Sequence, residues 1–215
     1  MKYKRLALIG SKEFAQQIRG FAEDSNKFKV VGYFDDFEDK DTIIEGLPVL
    51  GKRENIIEVF NENGFDEIFL AAGYNNFLFR EQVFEELKGK VPFANIIMPG
   101  VHLHPSLKIG SGVYIGENTF IGKNVIIGDN NFIHERTSIA HDCIIGNHNY
   151  FSGLDSLAGH VTMGDRVFVG LNVCIADNIK ITDDVWIGIG ATVAQDLKEP
   201  LKYMSMSTRL VPVKR

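Results

Sequence analysis

The chain has 215 residues, 45% of them apolar, and a formal net charge of −5. These values describe an ordinary globular protein, and the acidic balance excludes a broad nucleic-acid footprint. Cys143 and Cys174 have neither metal-type spacing nor a disulfide framework. With no signal peptide and no apolar run of about 18 residues, a cytoplasmic location without membrane insertion is expected.

Residues 3–9 (YKRLALI) read as a buried strand that runs into Gly10 and Ser11. An amphipathic helix over 12–24 follows, with Phe14, Ile18 and Phe21 on one side. The second strand, FKVVGYF, ends in Asp35 and Asp36. Then come LPVLG (47–51), a helix around 53–63, the strand EIFLAAG (67–73), a helix near 78–88, and FANIIM (93–98). Strands alternating with helices predict a small parallel sheet, an α/β Rossmann-like domain over residues 1–100. Pro99-Gly100 marks the change of regime.

Beyond it, every sixth residue from Leu103 to Val193 is a large apolar side chain, sixteen in all, and fourteen of them are followed by Gly, Ala, Ser or Thr. Six is neither a helical nor a strand period. It is the repeat of a β-solenoid, in which three hexads make one triangular coil. Residues 101–194 are therefore expected to form about five coils, spaced as hydrogen-bonded strands are. The two large residues in the corner row are His104 and His134. The tail, 195–215, loses the beat and is expected to cap the last coil; its cations include Lys198, Lys202, Arg209, Lys214 and Arg215.

The ruler also sorts the polar residues. His141 and Asp142 follow interior Ile139 by two and three places, which puts both outside the core. Gly159, eighteen residues after His141, is expected to stack on it, and His160 on Asp142. A neutral imidazole beside a carboxylate suits proton abstraction near neutral pH. The Gly159 N–H is suited to holding a developing oxyanion. Gly10 and Ser11, where the first strand meets a helix, suit an anion, and Asp35 and Asp36 suit a ribose or base.

The hexad row, TSIAHDCIIG (137–146), GYFDD (32–36) and LPVLG (47–51) together resemble the sialic-acid O-acetyltransferase-like family of bacterial sugar acyltransferases. That group includes N-acetyltransferases of nucleotide-linked 4-amino-4,6-dideoxy sugars. The resemblance covers nearly the whole chain and implies a left-handed parallel β-helix behind the front domain. It implies an acetyl-CoA-dependent N-acetyltransferase of surface-glycan synthesis, with a nucleotide-linked amino sugar as acceptor, a homotrimer, and no metal. His141 becomes the general base, Asp142 its partner, and Gly159 the main-chain donor to the thioester oxygen. Acetyl-CoA is expected at Tyr150, Gly159, Leu171 and Ile189, in a groove between subunits. Acceptor contacts are expected at Gly10, Ser11, Asp35, Asp36 and His134. At two of these positions relatives differ: Tyr150 stands where some have histidine, and His134 where asparagine is common. Rival readings are sialic-acid-type O-acetyl transfer, a γ-type carbonic anhydrase with zinc among His134, His141, His148 and His160, and a non-catalytic solenoid.

Overall fold

The structure, a computed structural model, describes residues 3–73 and 76–205. In chain order the front domain runs β1 (Lys4–Ile9), α1 (Glu13–Asp24), β2 (Phe28–Phe34), β3 (Ile43–Ile44), β4 (Leu47–Gly51), α2 (Ile56–Asn61), β5 (Glu67–Leu70) and α3 (Phe77–Leu87). Its sheet has the order β3-β4-β2-β1-β5, and its pairs are parallel except β3 with β4. Along β1, Leu6 and Leu8 pack to one side and Ala7 and Ile9 to the other, and both sides are buried. That double burial is the mark of a parallel sheet between helix layers. α1 covers the first side with Ala15, Ile18 and Ala22, while α2 and α3 cover the second with Ile56, Val83, Phe84 and Leu87.

Three expectations need correction. The predicted 53–63 helix is a 3-10 turn (Arg53–Asn55) followed by the shorter α2. FANIIM is not one strand of the front sheet. Phe93 bridges to Ile68 in that sheet, whereas Ile96–Ile97 pairs with Tyr114–Ile115 as the first rung of the solenoid. Ile97 stands six places before Leu103, so the six-residue row begins ahead of Pro99-Gly100. The tail also keeps more order than expected. Leu197 pairs with Ile181 and Tyr203 with Ile187, sixteen residues on rather than eighteen. The beat slips by two and resumes, and Lys202–Tyr203 covers the last strand edge at Trp186–Ile187. Arg209, Lys214 and Arg215 lie outside the described residues.

The solenoid is a left-handed β-helix of two-residue strands stacked in three parallel sheets of six, five and seven strands, about six coils rather than five. The first face runs from His102–Leu103 to Thr192–Val193, the second from Lys108–Ile109 to Lys180–Ile181, and the third from Ile96–Ile97 to Lys202–Tyr203. Pairing advances one coil at a time, as in Ile121↔Ile139↔Leu157↔Ile175↔Val193, and these side chains fill the axis. Two separate demands shape each corner. The residue after the interior one needs room: a Cβ on Gly164 would lie 2.1 Å from Asp183 Oδ1 of the next coil. The left-handed backbone comes two places later, where every sixth residue from Asn118 to Asp184 has φ between 52° and 61°. Asn and Asp tolerate that conformation best among residues with a side chain, and they fill seven of these twelve positions, Asn118 and Asp142 among them.

The outward residues of the third face form an aromatic ladder. Tyr114, Phe132, Tyr150, Phe168 and Trp186 follow one another with ring centroids 5.8, 5.8, 5.9 and 3.8 Å apart. The front domain rests on it through α1, with Phe14 against Phe132 at 5.3 Å and Phe21 against Tyr114 at 5.1 Å. α3 lies along the edge between the second and third faces, where Glu81 pairs with Arg166 at 3.0 Å and Lys88 with Asp129 at 2.8 Å. Arg80, fully buried there, donates to the Asn130 carbonyl at 2.7 Å and lies over the Phe132 ring. Burial lowers its pKa to about 9.

Candidate active site

The edge between the first and second faces carries a linked polar group, His141, Asp142 and Asn124. His141 Nδ1 lies 2.8 Å from Asp142 Oδ2. Asn124, one coil below, donates from Nδ2 to Asp142 Oδ1 at 3.0 Å. These contacts hold the Asp142 carboxyl below its usual pKa, the Asn124 hydrogen bond first and the His141 bond second. An ionised Asp142 makes Nδ1 the donor, so Nε2 keeps its lone pair. One coil above, the His141 ring lies against Gly159: a Cβ there would stand 2.7 Å from Cε1 and 2.9 Å from Nε2. Only glycine fits while the ring keeps this position. Among the described residues the Gly159 N–H meets no protein acceptor. His160 presents its ring edge-on to His141, 5.2 Å away at 88°.

A second site lies at the carboxyl ends of β1, β2 and β5, where ligands of open α/β sheets bind. It is a cleft of about 340 Å³ whose lining includes Gly10, Ser11, Asp35 and Asp36. Gly10 adopts φ 102°, a left-handed backbone that glycine takes without strain. Ser11 Oγ donates to Asp35, whose other oxygen accepts from Phe37 N at 2.9 Å. Asp36 accepts from Arg53 N at 2.9 Å. Phe37 (91% exposed) and Phe79 also line the cleft, as does Arg53.

The third group lies on the edge between the third and first faces. Leu171 and Ile189 are exposed there. His134, on the same edge, turns inward with its ring 5.4 Å from Tyr114 and 5.0 Å from Tyr150. Burial pushes the His134 pKa down, and its Nε2 is buried with no hydrogen-bond partner. Tyr150 is only 7% exposed, within the ladder beneath the front domain. Its ring packs between those of Phe132 and Phe168.

One chain thus brings together His141, Asp142 and Gly159, and separately Gly10, Ser11, Asp35 and Asp36. It does not bring either set to Leu171 and Ile189, which occupy another edge of the prism. His134 and His148 also sit on other edges than His141, so the four-histidine zinc arrangement does not form within a chain. Sequence reasoning missed Asn124, although it stands one coil before Asp142, and missed the cleft residues Phe37, Arg53 and Phe79. Nothing in the periodicity marked those three.

Residues 5–87 match the family model of the PglD N-terminal domain. No curated protein matches the chain. Among solved structures, PerB from Caulobacter crescentus, in complex with CoA and GDP-perosamine, superposes with a TM-score of 0.82 at 24% identity over 93% of each chain. The acetyltransferase domain of PglB from Neisseria gonorrhoeae gives 0.82 at 20% identity, covering 94% of this chain and 97% of that one. WeeI from Acinetobacter baumannii gives 0.77 at 19% identity, covering 93% and 96%. These likenesses establish the architecture, an α/β front domain followed by a left-handed β-helix. Among the described residues, no helix is long and apolar enough to cross a membrane.

Proposed function

We propose that this chain is an acetyl-CoA-dependent N-acetyltransferase acting on a nucleotide-linked amino sugar, of the 4-amino-4,6-dideoxy kind, for surface-glycan synthesis. The observation that carries this reading is the His141–Asp142 pair at 2.8 Å, with its ring seated on a glycine that no other residue can replace without moving it. His141 Nε2 accepts the proton of the acceptor amine as the nitrogen bonds to the acetyl carbon. Asp142, fixed by Asn124, orients the ring and stabilises the imidazolium. The Gly159 N–H donates to the thioester oxygen as charge develops there. The carbon–sulfur bond then breaks, and His141 returns its proton to the departing thiolate or to water. The acetyl group goes directly to the amine, with no enzyme-bound intermediate.

The front cleft is the natural seat for the nucleotide. Its glycine turn and helix start suit the diphosphate, Asp35 and Asp36 suit the ribose or base, and Phe37 offers a face for stacking. His134 then borders the sugar. The likeness to PerB, seen with CoA and GDP-perosamine, supports both halves of this assignment. The acetyltransferase domain of PglB, also seen with acetyl coenzyme A, supports the cofactor half. Because Leu171 and Ile189 lie on a different edge from His141, a cofactor groove lined by all of them needs two copies. We therefore infer a homotrimer in which one subunit's His141 edge faces its neighbour's Leu171 edge.

The test is thiol release from acetyl-CoA in the presence of UDP-, dTDP- and GDP-linked 4-amino sugars, with sialic acid as a hydroxyl acceptor. Release with an amino sugar nucleotide supports the reading. Release only with sialic acid converts it to O-acetyl transfer, and no release with any acceptor overturns it.

A further inference from the structure

Left-handed corner positions recur every six residues, and at eighteen-residue steps they stack into columns along each edge. One column runs Asn124, Asp142, His160, Asn178, all with φ between 57° and 61°. Because the backbone conformation repeats, Asp142 and His160 leave the solenoid in parallel, one strand spacing apart. His141, beside Asp142, leans toward the same space. One ligand atom from each of His141, Asp142 and His160 lies within 4.8 Å of the others.

We propose that His141, Asp142 and His160 form a zinc-binding site whose occupancy shuts off proton abstraction by His141. Two imidazoles and a carboxylate are a donor set typical of Zn²⁺. Three protein ligands leave the fourth tetrahedral position open to water. The Asn124 bond at 3.0 Å orients the carboxylate from behind, as outer partners do at metal centres. Zinc bonds of about 2.0–2.2 Å require the three donors to close in, and the exposed side chain of His160 supplies that movement. The site differs from the four-histidine arrangement weighed on sequence, since His134 and His148 are on other edges.

Occupancy has one chemical consequence whichever ring nitrogen binds. Metal on Nε2 takes the lone pair that accepts the amine proton. Metal on Nδ1 displaces the proton shared with Asp142, which passes through solvent to Nε2, so the ring stays neutral but is now protonated at Nε2. Either way the base is lost, and removing the metal restores it.

The consequence for turnover rests on the transferase reading; the binding itself does not. The purified chain is titrated with Co²⁺, followed by its visible d–d bands, and with Zn²⁺ against a chromophoric chelator. One equivalent per chain is expected, at least tenfold weaker in His160→Asn, which keeps a residue suited to the left-handed corner. Circular dichroism establishes that the variant is folded. In parallel, thiol release in wild type falls to background at one equivalent of zinc and returns with EDTA. His160→Asn, scored against its own zinc-free rate, needs at least tenfold more. Absence of stoichiometric binding, or equal binding in the folded variant, overturns the site. Stoichiometric binding without acetyl transfer to any acceptor leaves the site standing and removes the transferase reading.

Discussion

Two edges of the same prism carry histidines on one backbone plan and differ in everything else. On one edge, His141 sits beside left-handed Asp142, exposed, with Gly159 above and Asn124 below. On the other, left-handed His148 stacks on left-handed Asn130, its Nδ1 2.9 Å from Asn130 Nδ2, and α3 closes over it with Phe84. His148 is 3% exposed, and burial, with Arg80 nearby, pushes its pKa down to about 4. The helix that covers one edge turns a histidine into packing. The uncovered edge keeps its histidine open to solvent. The solenoid backbone is thus chemically neutral, and the domain placed on it decides which corners can react.

Substitution at the open edge is expected to give the largest change. His141→Ala should lower kcat/KM by roughly 10²–10⁴, the usual contribution of a general base, while thermal unfolding stays near wild type because the side chain is exposed. Turnover on the best nucleotide sugar, with a melting curve alongside, measures it. A loss of only a few-fold would move the base elsewhere. Gly159→Ala comes next. The added methyl meets the ring at 2.7–2.9 Å and must displace it. Misplacing a catalytic group by about an ångström costs up to roughly 10² in rate. Steady-state kinetics should show the loss mainly in kcat. The same substitution at Gly20, where a Cβ meets nothing within 4 Å, should leave turnover unchanged.

How much of this was readable from sequence follows the same division. The six-residue row identified the solenoid, because a repeated backbone imposes a repeated side-chain requirement. The same ruler put Gly159 on His141, where the structure has it. It misjudged the ends, where the requirement changes: Ile97 starts the row one step early, and Leu197 and Tyr203 continue it after a two-residue slip. The front domain was legible as alternating strand and helix but not as a docking surface. Nothing local announces that Phe14 and Phe21 will lie on Phe132 and Tyr114, since that contact joins residues about a hundred positions apart. Tyr150 shows the limit. Which edges and faces the front domain covers, Tyr150 among them, is a property of the assembled fold.

The smallest expected effects concern stability and sharpen the contrast between edges. His148 has a folded pKa of about 4 against an ordinary 6.5. Below pH 6.5 the unfolded chain takes up a proton that folded His148 refuses, so stability present above that value is lost as pH falls toward 4. Asp155 acts in the opposite sense. It is buried on the edge between the third and first faces, accepting from Val173 N and Gly153 N, and burial raises its pKa to about 7. Its contribution is full below the unfolded carboxylate value of about 3.9 and is lost as pH rises through about 7. Over pH 4–6.5 the two slopes oppose each other and largely hide one another in the wild type. Single variants separate them. His148→Asn should be less stable than wild type at pH 8, because it forfeits the packing on Phe84, and the gap should narrow as pH falls toward 4.5. Asp155→Asn, which keeps an oxygen for Val173 N, should be more stable than wild type at pH 8 and show the uncovered His148 slope in acid. Urea melts at half-unit steps from pH 4.5 to 8 distinguish the two. If the His148→Asn gap stays constant across that range, the edge that α3 covers is not the desolvated environment argued for it.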